Sequence, residues 1–354
     1  MSEQFIEVDR LRALLVQNHG PSDSLLRDGD EEFTSEIVLA RIENVIEAIL
    51  TSLSKSEAPT LTVLNRSCWS NIRFEDDIGL HAASDYTVST IRSDCSRSVT
   101  RFATTLKVLS VIYKMVQSNS YATKRDIYYN DTQLFGSQRT VDLIVDDISC
   151  MLRVPRRNLH VLASSKGFIA GDLCYTEEDG TKVNCDSGSM VCETAGRQSW
   201  FLPMFVGKGV PDVNSRLMVR RLWDSLCIPI FALVDADPHG IEIMCIYKYG
   251  SVSMSFDAHN LTVPAVMWLG LLPSDIERLN VPKDALIPFT KRDHSKLQSL
   301  QKRPYFNSQP LWKKEIELML KWQQKAEIQC LTSIAPDYLT RVYLPNKLRF
   351  GGWI

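Results

Sequence analysis

The chain has 354 residues, of which 44% are hydrophobic, 23% charged and 9% aromatic, which excludes wholesale disorder, collagen and coiled coil and suits two or three domains. Its formal charge of −2 at first argues against a nucleic-acid partner. The longest apolar run, residues 227–234, is far short of the roughly 20 residues of a membrane helix, so no membrane association is expected.

Charge counted by region reads differently. Residues 1–90 carry 7 Lys+Arg against 16 Asp+Glu, residues 101–170 carry 10 against 5, and residues 171–354 carry 21 against 20. By itself the split is better read as solvated surface, but a basic middle behind an acidic leader removes the argument against DNA. The first residues lack the basic and apolar regions of a secretory leader. Nine cysteines with no C-x-x-C pair predict reduced thiols and neither a disulfide frame nor a zinc site.

Residues 1–33 are turn-rich and charged. Ile42, Val45, Ile46, Ile49 and Leu53 then recur at helical spacing, with Thr34 or Ser35 placed to cap the start. That stripe needs a partner surface, either the chain's own core or another protein. Residues 54–98, rich in Ser and Asp, read as a linker with weak structure.

From residue 99 the pattern tightens. Phe102, Leu106, Leu109, Ile112, Tyr113 and Val116 form one helical face, and Thr123 can cap a second helix from Lys124 to about Asn130. Val141, Ile144, Val145, Ile148 and Leu152 write a third, stopped by Pro155. Residues 159–162 and 168–175 around a Gly-containing turn predict a β-hairpin. Three helices and a hairpin outline a winged helix-turn-helix. Further on, residues 204–206, a helix over 213–226, an apolar run over 228–234 read as a strand buried on both faces, and a helix over 241–247 suggest βα units and a parallel sheet.

Three motifs could carry chemistry. Asp235-Ala236-Asp237-Pro238-His239-Gly240 follows the apolar strand directly, so two carboxylates sit at its C-terminal end, where ligands bind in open α/β sheets. Such a pair needs a cation, and Mg²⁺ suits its oxygen donors. The same residues suit a strand-ending turn, but the preceding apolar run favours the metal. Lys124-Arg125-Asp126-Ile127-Tyr128-Tyr129 places a tyrosine among cations, which lower the cost of a phenolate nucleophile. An arbitrary tyrosine more often packs in a core. Gly207-Lys208-Gly209 allows close backbone approach to phosphate but is not a Walker A loop.

These motifs, with the string from Val116 to Tyr129 and the tail from Tyr343 to Ile354, resemble the A-subunit family of type IIB topoisomerases (the topoisomerase VI A subunit) over roughly residues 34–354. The eukaryotic meiotic branch of that family, which makes the double-strand breaks that initiate recombination, is the nearer match. The resemblance implies an α+β multi-domain fold. Its parts would be a partner-binding helix and linker (1–98), a winged-helix nucleophile domain (99–176) and an α/β Toprim domain (177–354). It implies that Tyr129 attacks DNA to form a 5′-phosphotyrosyl link with help from Arg125, and that Lys124, Lys208, Arg156 and Arg157 contact DNA. Asp235 and Asp237 would bind Mg²⁺, with Mn²⁺ as a substitute. The implied partners are double-stranded DNA, a second copy of the chain, and a topoisomerase VI B-like subunit reached through the N-terminal helix. The implied setting is the nucleus and its chromosomes.

The family's Toprim domain opens with a strand ending in a metal-binding glutamate, followed by a helix. Residues 185–206 leave no room for both, and Glu193 is the only acid there with any claim to that role. The expected Toprim domain is therefore short of its first strand and helix. Two further readings remain open: a catalytically impaired isoform that only binds DNA or a partner, and a phosphohydrolase using the carboxylate pair alone.

Overall fold

The computed structural model describes residues 33–66, 68–83, 86–163, 167–171, 173–176, 182–185 and 204–354. Glu193 lies outside the described residues, as does most of the stretch expected to lack a strand and a helix.

Thr34 caps helix α1 (Ser35–Ser54), its hydroxyl accepting from the Ile37 amide at 3.4 Å. The apolar stripe divides between two surfaces. Val38, Ile42 and Ile49 are buried in the chain's own cores, whereas Ile46, Leu50 and Leu53 stay exposed.

The expected weak linker at 54–98 is a correction. It holds β1 (Thr60–Leu64), which pairs antiparallel with β4 (Val88–Arg92), and between them the hairpin β2 (Ile72–Glu75) and β3 (Gly79–Ala82). The alternation Thr60-Leu61-Thr62-Val63 explains the first pair: Leu61 and Val63 face inward with Ile49, Ile91 and Phe102. Composition across a Ser/Asp-rich window hides this two-residue period.

Helices α2 (Val99–Gln117), α3 (Lys124–Asn130) and α4 (Gln138–Leu152) follow as the sequence pattern predicts, and a short strand β5 (Ala122–Thr123), not expected, precedes α3. Val108, Leu109, Ile112, Ile127, Val141, Ile144, Val145 and Ile148 form one core, which Val38 and Ile42 of α1 complete. The hairpin expected from 159–162 and 168–175 does not form. β6 (Val161–Leu162) pairs in parallel with β5, because Val161 belongs to that helical core and Ala122 packs against it. β7 (Phe168–Ala170) pairs antiparallel with β10 (Met204–Val206), and the hairpin falls later, between β8 (Cys174–Thr176) and β9 (Lys182–Asn184).

In the C-terminal half, Asp212 caps α5 (Val213–Leu226) and β11 (Phe231–Leu233) leads to α6 (Pro238–Tyr249). β11 pairs in parallel with β12 (Met267–Gly270). The run over 228–234 was expected to be buried on both faces, yet residues 228–234 are only half-buried. The reason is that β11 has one strand partner among the described residues. On the far side of β12 the main chain of Ile354 exchanges two hydrogen bonds with Trp268, at 2.7 and 3.0 Å. Helices α7 (Lys291–Gln301), α8 (Pro310–Trp322) and α9 (Leu344–Phe350) flank this half. Trp268, Trp312, Tyr249 and Tyr305 are its largest buried side chains. Leu80 of β3 belongs to the same core, with Ile72 and Phe74 of β2 packed against it. Among the described residues no helix is long and apolar enough to cross a membrane.

Candidate active site

Helix α3 is short, and its start is fixed twice over. Thr123 and Asp126 form a capping box: the Asp126 carboxylate accepts from the Thr123 amide at 2.8 Å, and the Thr123 hydroxyl accepts from the Asp126 amide at 3.3 Å. Ile127 anchors the helix in the core, and Tyr128 packs beside it. Tyr129 points the other way and is 68% exposed. The two tyrosine rings lie 5.4 Å apart. Arg125, four residues before Tyr129, is exposed on the same face.

Arg125 lines a cleft of about 530 Å³ between the two halves of the chain, together with Lys124, Arg156, Asp212 and Arg216. Burial lowers the Arg156 guanidinium below its ordinary value and brings Arg216 down to about 10. Lys124, expected to meet phosphate, lines this cleft and is also paired within the chain. Its ammonium lies 2.6 Å from Asp146 and 3.2 Å from the Asp142 carbonyl. Arg157 is half-buried at the end of the same segment. Lys208 is exposed with φ +49°, its ammonium 3.7 Å from the Phe168 ring centroid. A Cβ at Gly207 would sit 2.6 Å from the Tyr247 hydroxyl, so a side chain there requires that ring to shift.

The acidic pair lies at the end of β11. Asp235 Oδ1 accepts from the Ile328 amide at 2.8 Å, and Asp237 caps α6 by accepting from Gly240 at 2.5 Å. Gly240 is required, because a Cβ would meet the Asp235 carbonyl oxygen at 2.5 Å. Burial pushes the Asp237 carboxyl up, and the neighbouring Asp235 charge adds to this against the Gly240 amide. Two hard carboxylates that disfavour each other's charge are a donor set suited to a divalent cation. They offer two carboxylates and no more: among the described residues no three His, Cys, Asp or Glu side chains gather closely enough to hold a metal ion. Neither the pair nor Tyr129 lines the cleft.

The surroundings of the pair escaped sequence reading. Ala236 and Ala326 form an antiparallel bridge, which brings Lys325 alongside. Lys325 lies 2.9 Å from Asp293, and His239 Nε2 is 4.0 Å from the same carboxylate. Burial alone would raise the Asp293 carboxyl, but the Thr290 amide and hydroxyl and the Lys325 ammonium bring it down to about 2. Thr290-x-x-Asp293 was a readable capping box, but its proximity to His239 was not.

Residues 201–348 match the family model for the Toprim domain of the topoisomerase 6 A subunit and Spo11, and residues 100–161 match the one described as "Type IIB DNA topoisomerase". The Homo sapiens protein "Meiotic recombination protein SPO11" is 56% identical, over 92% of this chain and 91% of its own length. The Mus musculus protein of the same name is also 56% identical, over 91% and 89%. The DNA topoisomerase 6 A subunit of Arabidopsis thaliana is 32% identical, over 90% of this chain and 81% of its own. Two matched segments, in the order expected for the nucleophile-bearing and Toprim halves, and relatives aligned almost end to end have one reading: the chain belongs to the family of Spo11 and the topoisomerase 6 A subunit.

Proposed function

We propose that the chain cuts DNA to initiate meiotic recombination, with Tyr129 as the nucleophile. The observation that carries this reading is the division between the paired tyrosines. Tyr128 is partly buried against the core, while Tyr129 stands in solvent one helical turn from Arg125. The Tyr129 oxygen loses its proton and bonds to phosphorus. The bond from phosphorus to the 3′ oxygen breaks, and that oxygen leaves as a hydroxyl once protonated. One phosphodiester is exchanged for another, so no water or external energy source is consumed. Arg125 donates hydrogen bonds to the phosphoryl oxygens and offsets the charge that gathers there. Lys208, Arg156 and Arg157 contact the DNA backbone, and Lys124 acts indirectly by fixing the helix that carries Tyr129.

Asp235 and Asp237 would hold the divalent cation, Mg²⁺ or its substitute Mn²⁺, which when bound supplies charge stabilisation at the departing oxygen. Because one tyrosine cuts one strand, a double-strand break needs two copies of the chain. The exposed Ile46, Leu50 and Leu53 of α1 suit the B-type subunit, and the setting is the nuclear chromosome. The nucleophile domain remains winged-helix in type on this reading. The Toprim half remains short of its glutamate-bearing strand on the same reading.

The test is incubation of the chain and a B-type subunit with DNA and Mg²⁺ or Mn²⁺. Covalent protein–5′-oligonucleotide adducts form and disappear in Tyr129→Phe. Equal adducts in the variant refute the assignment. DNA binding with no adduct from the unaltered chain points to the binding-only role instead.

A further inference from the structure

The hairpin β2–β3 belongs by sequence to the N-terminal part but by packing to the C-terminal half. Phe74 meets Tyr249 edge-on at 5.3 Å and Tyr305 at 5.9 Å, and the Thr262 hydroxyl donates to the Ile78 carbonyl at 2.7 Å. Gly79 sits so close to Tyr249 that a Cβ would approach its backbone to 2.5 Å. Asn71 ties the loop before this hairpin to the segment after it. Buried Asn71 donates to the Asn65 and Thr87 carbonyls at 3.0 and 3.2 Å and accepts from the Thr87 amide at 2.8 Å. Trp69 in that loop lies under the Arg303 guanidinium at 5.7 Å, and Arg303 in turn holds Glu242 of α6.

The same loop carries Arg66, which reaches the other half. Its Nε and Nη2 lie 3.1 and 2.7 Å from Asp147 Oδ1 on α4, and its Nη1 lies 3.8 Å from Asp146 Oδ2. The other oxygen of Asp146 holds Lys124, the first residue of the tyrosine helix, at 2.6 Å. Arg66 and Asp147 side chains are only 11% and 10% exposed, so solvent screens this pair little. An unbroken series of contacts therefore runs from the C-terminal core through the hairpin, Arg66 and Asp146 to Lys124.

We propose that Arg66 is a positioning residue that sets the helix bearing Tyr129 against the C-terminal half, through its fork on Asp146 and Asp147. The catalytic consequence rests on the reading of Tyr129 as the nucleophile; the positioning does not. Removing Arg66 leaves no carboxylate uncompensated, because Asp147 keeps Arg101 at 2.6 Å and Asp146 keeps Lys124. The variant therefore folds, and what it loses is registration. Lysine at this position supplies charge but no planar fork, and so recovers only part of the effect.

Hydrogen exchange on the full chain tests the positioning without any reaction. In Arg66→Ala the amides of residues 127–130 exchange at least about tenfold faster, while those of α2 are unchanged, and Arg66→Lys lies between. No change at 127–130, or an equal rise throughout α2, overturns the proposal. With DNA, Mg²⁺ and the B-type subunit, Arg66→Ala lowers adduct yield by about 10- to 100-fold at unchanged DNA affinity. An unaltered yield, in a preparation where the parent chain cuts, also overturns it. Should the parent chain form no adduct, the nucleophile reading fails and the exchange result alone decides.

Discussion

Leu80 offers the sharpest test of how the chain is joined, because its place in the sequence and its place in the structure disagree. It lies in the first quarter of the chain, is 1% exposed, and belongs to the core formed by Tyr249, Trp268, Tyr305 and Trp312. Leu80→Ala removes three carbons, worth about 2.4 kcal/mol at about 0.8 kcal/mol each. The stacked rings of Tyr249 and Tyr305, 4.7 Å apart, and Phe74 at their edges are rigid neighbours that close poorly over a void. A residual cavity adds to the cost, and a total of about 3 kcal/mol follows, within the usual range of roughly 2–5 for a buried leucine. Urea unfolding gives the magnitude, and limited proteolysis with fragment identification gives the place. New cleavage should appear within residues 238–322 and not within 99–152. Leu143→Ala is the control, since Leu143 is 50% exposed and its loss should cost under about 0.5 kcal/mol. A loss below about 1 kcal/mol for Leu80→Ala, or cleavage confined to the N-terminal helices, would show that the hairpin is not part of the C-terminal core.

Two further outcomes rest on buried carboxylates. Asp293 has a folded value of about 2 against its ordinary 3.8, so the unfolded chain binds more protons between them. Its stabilisation is complete above about pH 4 and is lost as pH falls towards 2. Asp293→Asn should flatten the urea midpoint across this window, and parallel profiles for the two proteins would refute the assignment. Asp275 accepts from Tyr343 at 2.5 Å and from Lys347 and Arg278 at 2.9 and 2.6 Å, fastening the C-terminal tail to this half. Asp275→Asn strands the buried Lys347 ammonium and should cost about 3–5 kcal/mol, most of it recovered by adding Lys347→Met. A double variant no more stable than the single one would remove the ion pair from the account.

Legibility followed the length of the pattern. Helices α2 and α4 carry six and five apolar residues at one period, and Thr123 precedes α3 with Asp126 three places on, so their starts and faces could be read directly. β5 and β6 are two residues each and carry no period at all. Their pairing is decided by Val161 joining a core whose other members are distant in sequence, which is why local pattern points to the wrong hairpin. The hairpin β2–β3 was readable in principle, with Asp76-Asp77-Ile78-Gly79 as its turn. Its destination was not, because nothing in Ile72–Glu75 or Gly79–Ala82 names Tyr249. The same limit applies at the site. Asp235, Asp237 and Tyr129 stand out by local pattern, whereas Lys325, the Ile328 amide and Arg66 act across separations that a single sequence does not encode.

The joining of the two halves bears on how a nucleophile and an acidic pair could serve one phosphate. The contacts of Tyr129 and of Asp235 and Asp237 do not include one another among the described residues. Hinge closure within one chain would have to withdraw the β2–β3 hairpin from the C-terminal core or break the fork of Arg66. Exposing Leu80 costs about 2–3 kcal/mol, and exchanging the hydrogen bond between the Thr262 hydroxyl and the Ile78 carbonyl for water adds about 0.5–1.5 kcal/mol. The sum is comparable with the whole affinity of a millimolar ligand, about 4 kcal/mol, so a single phosphate contact cannot drive closure by withdrawing the hairpin. Association has no such cost, since two chains can keep their internal links while one presents Tyr129 to the acidic pair of the other. On the proposed reading, the hairpin and Arg66 hold every copy rigid, with half of each of two sites, and the meeting of two copies on DNA completes them.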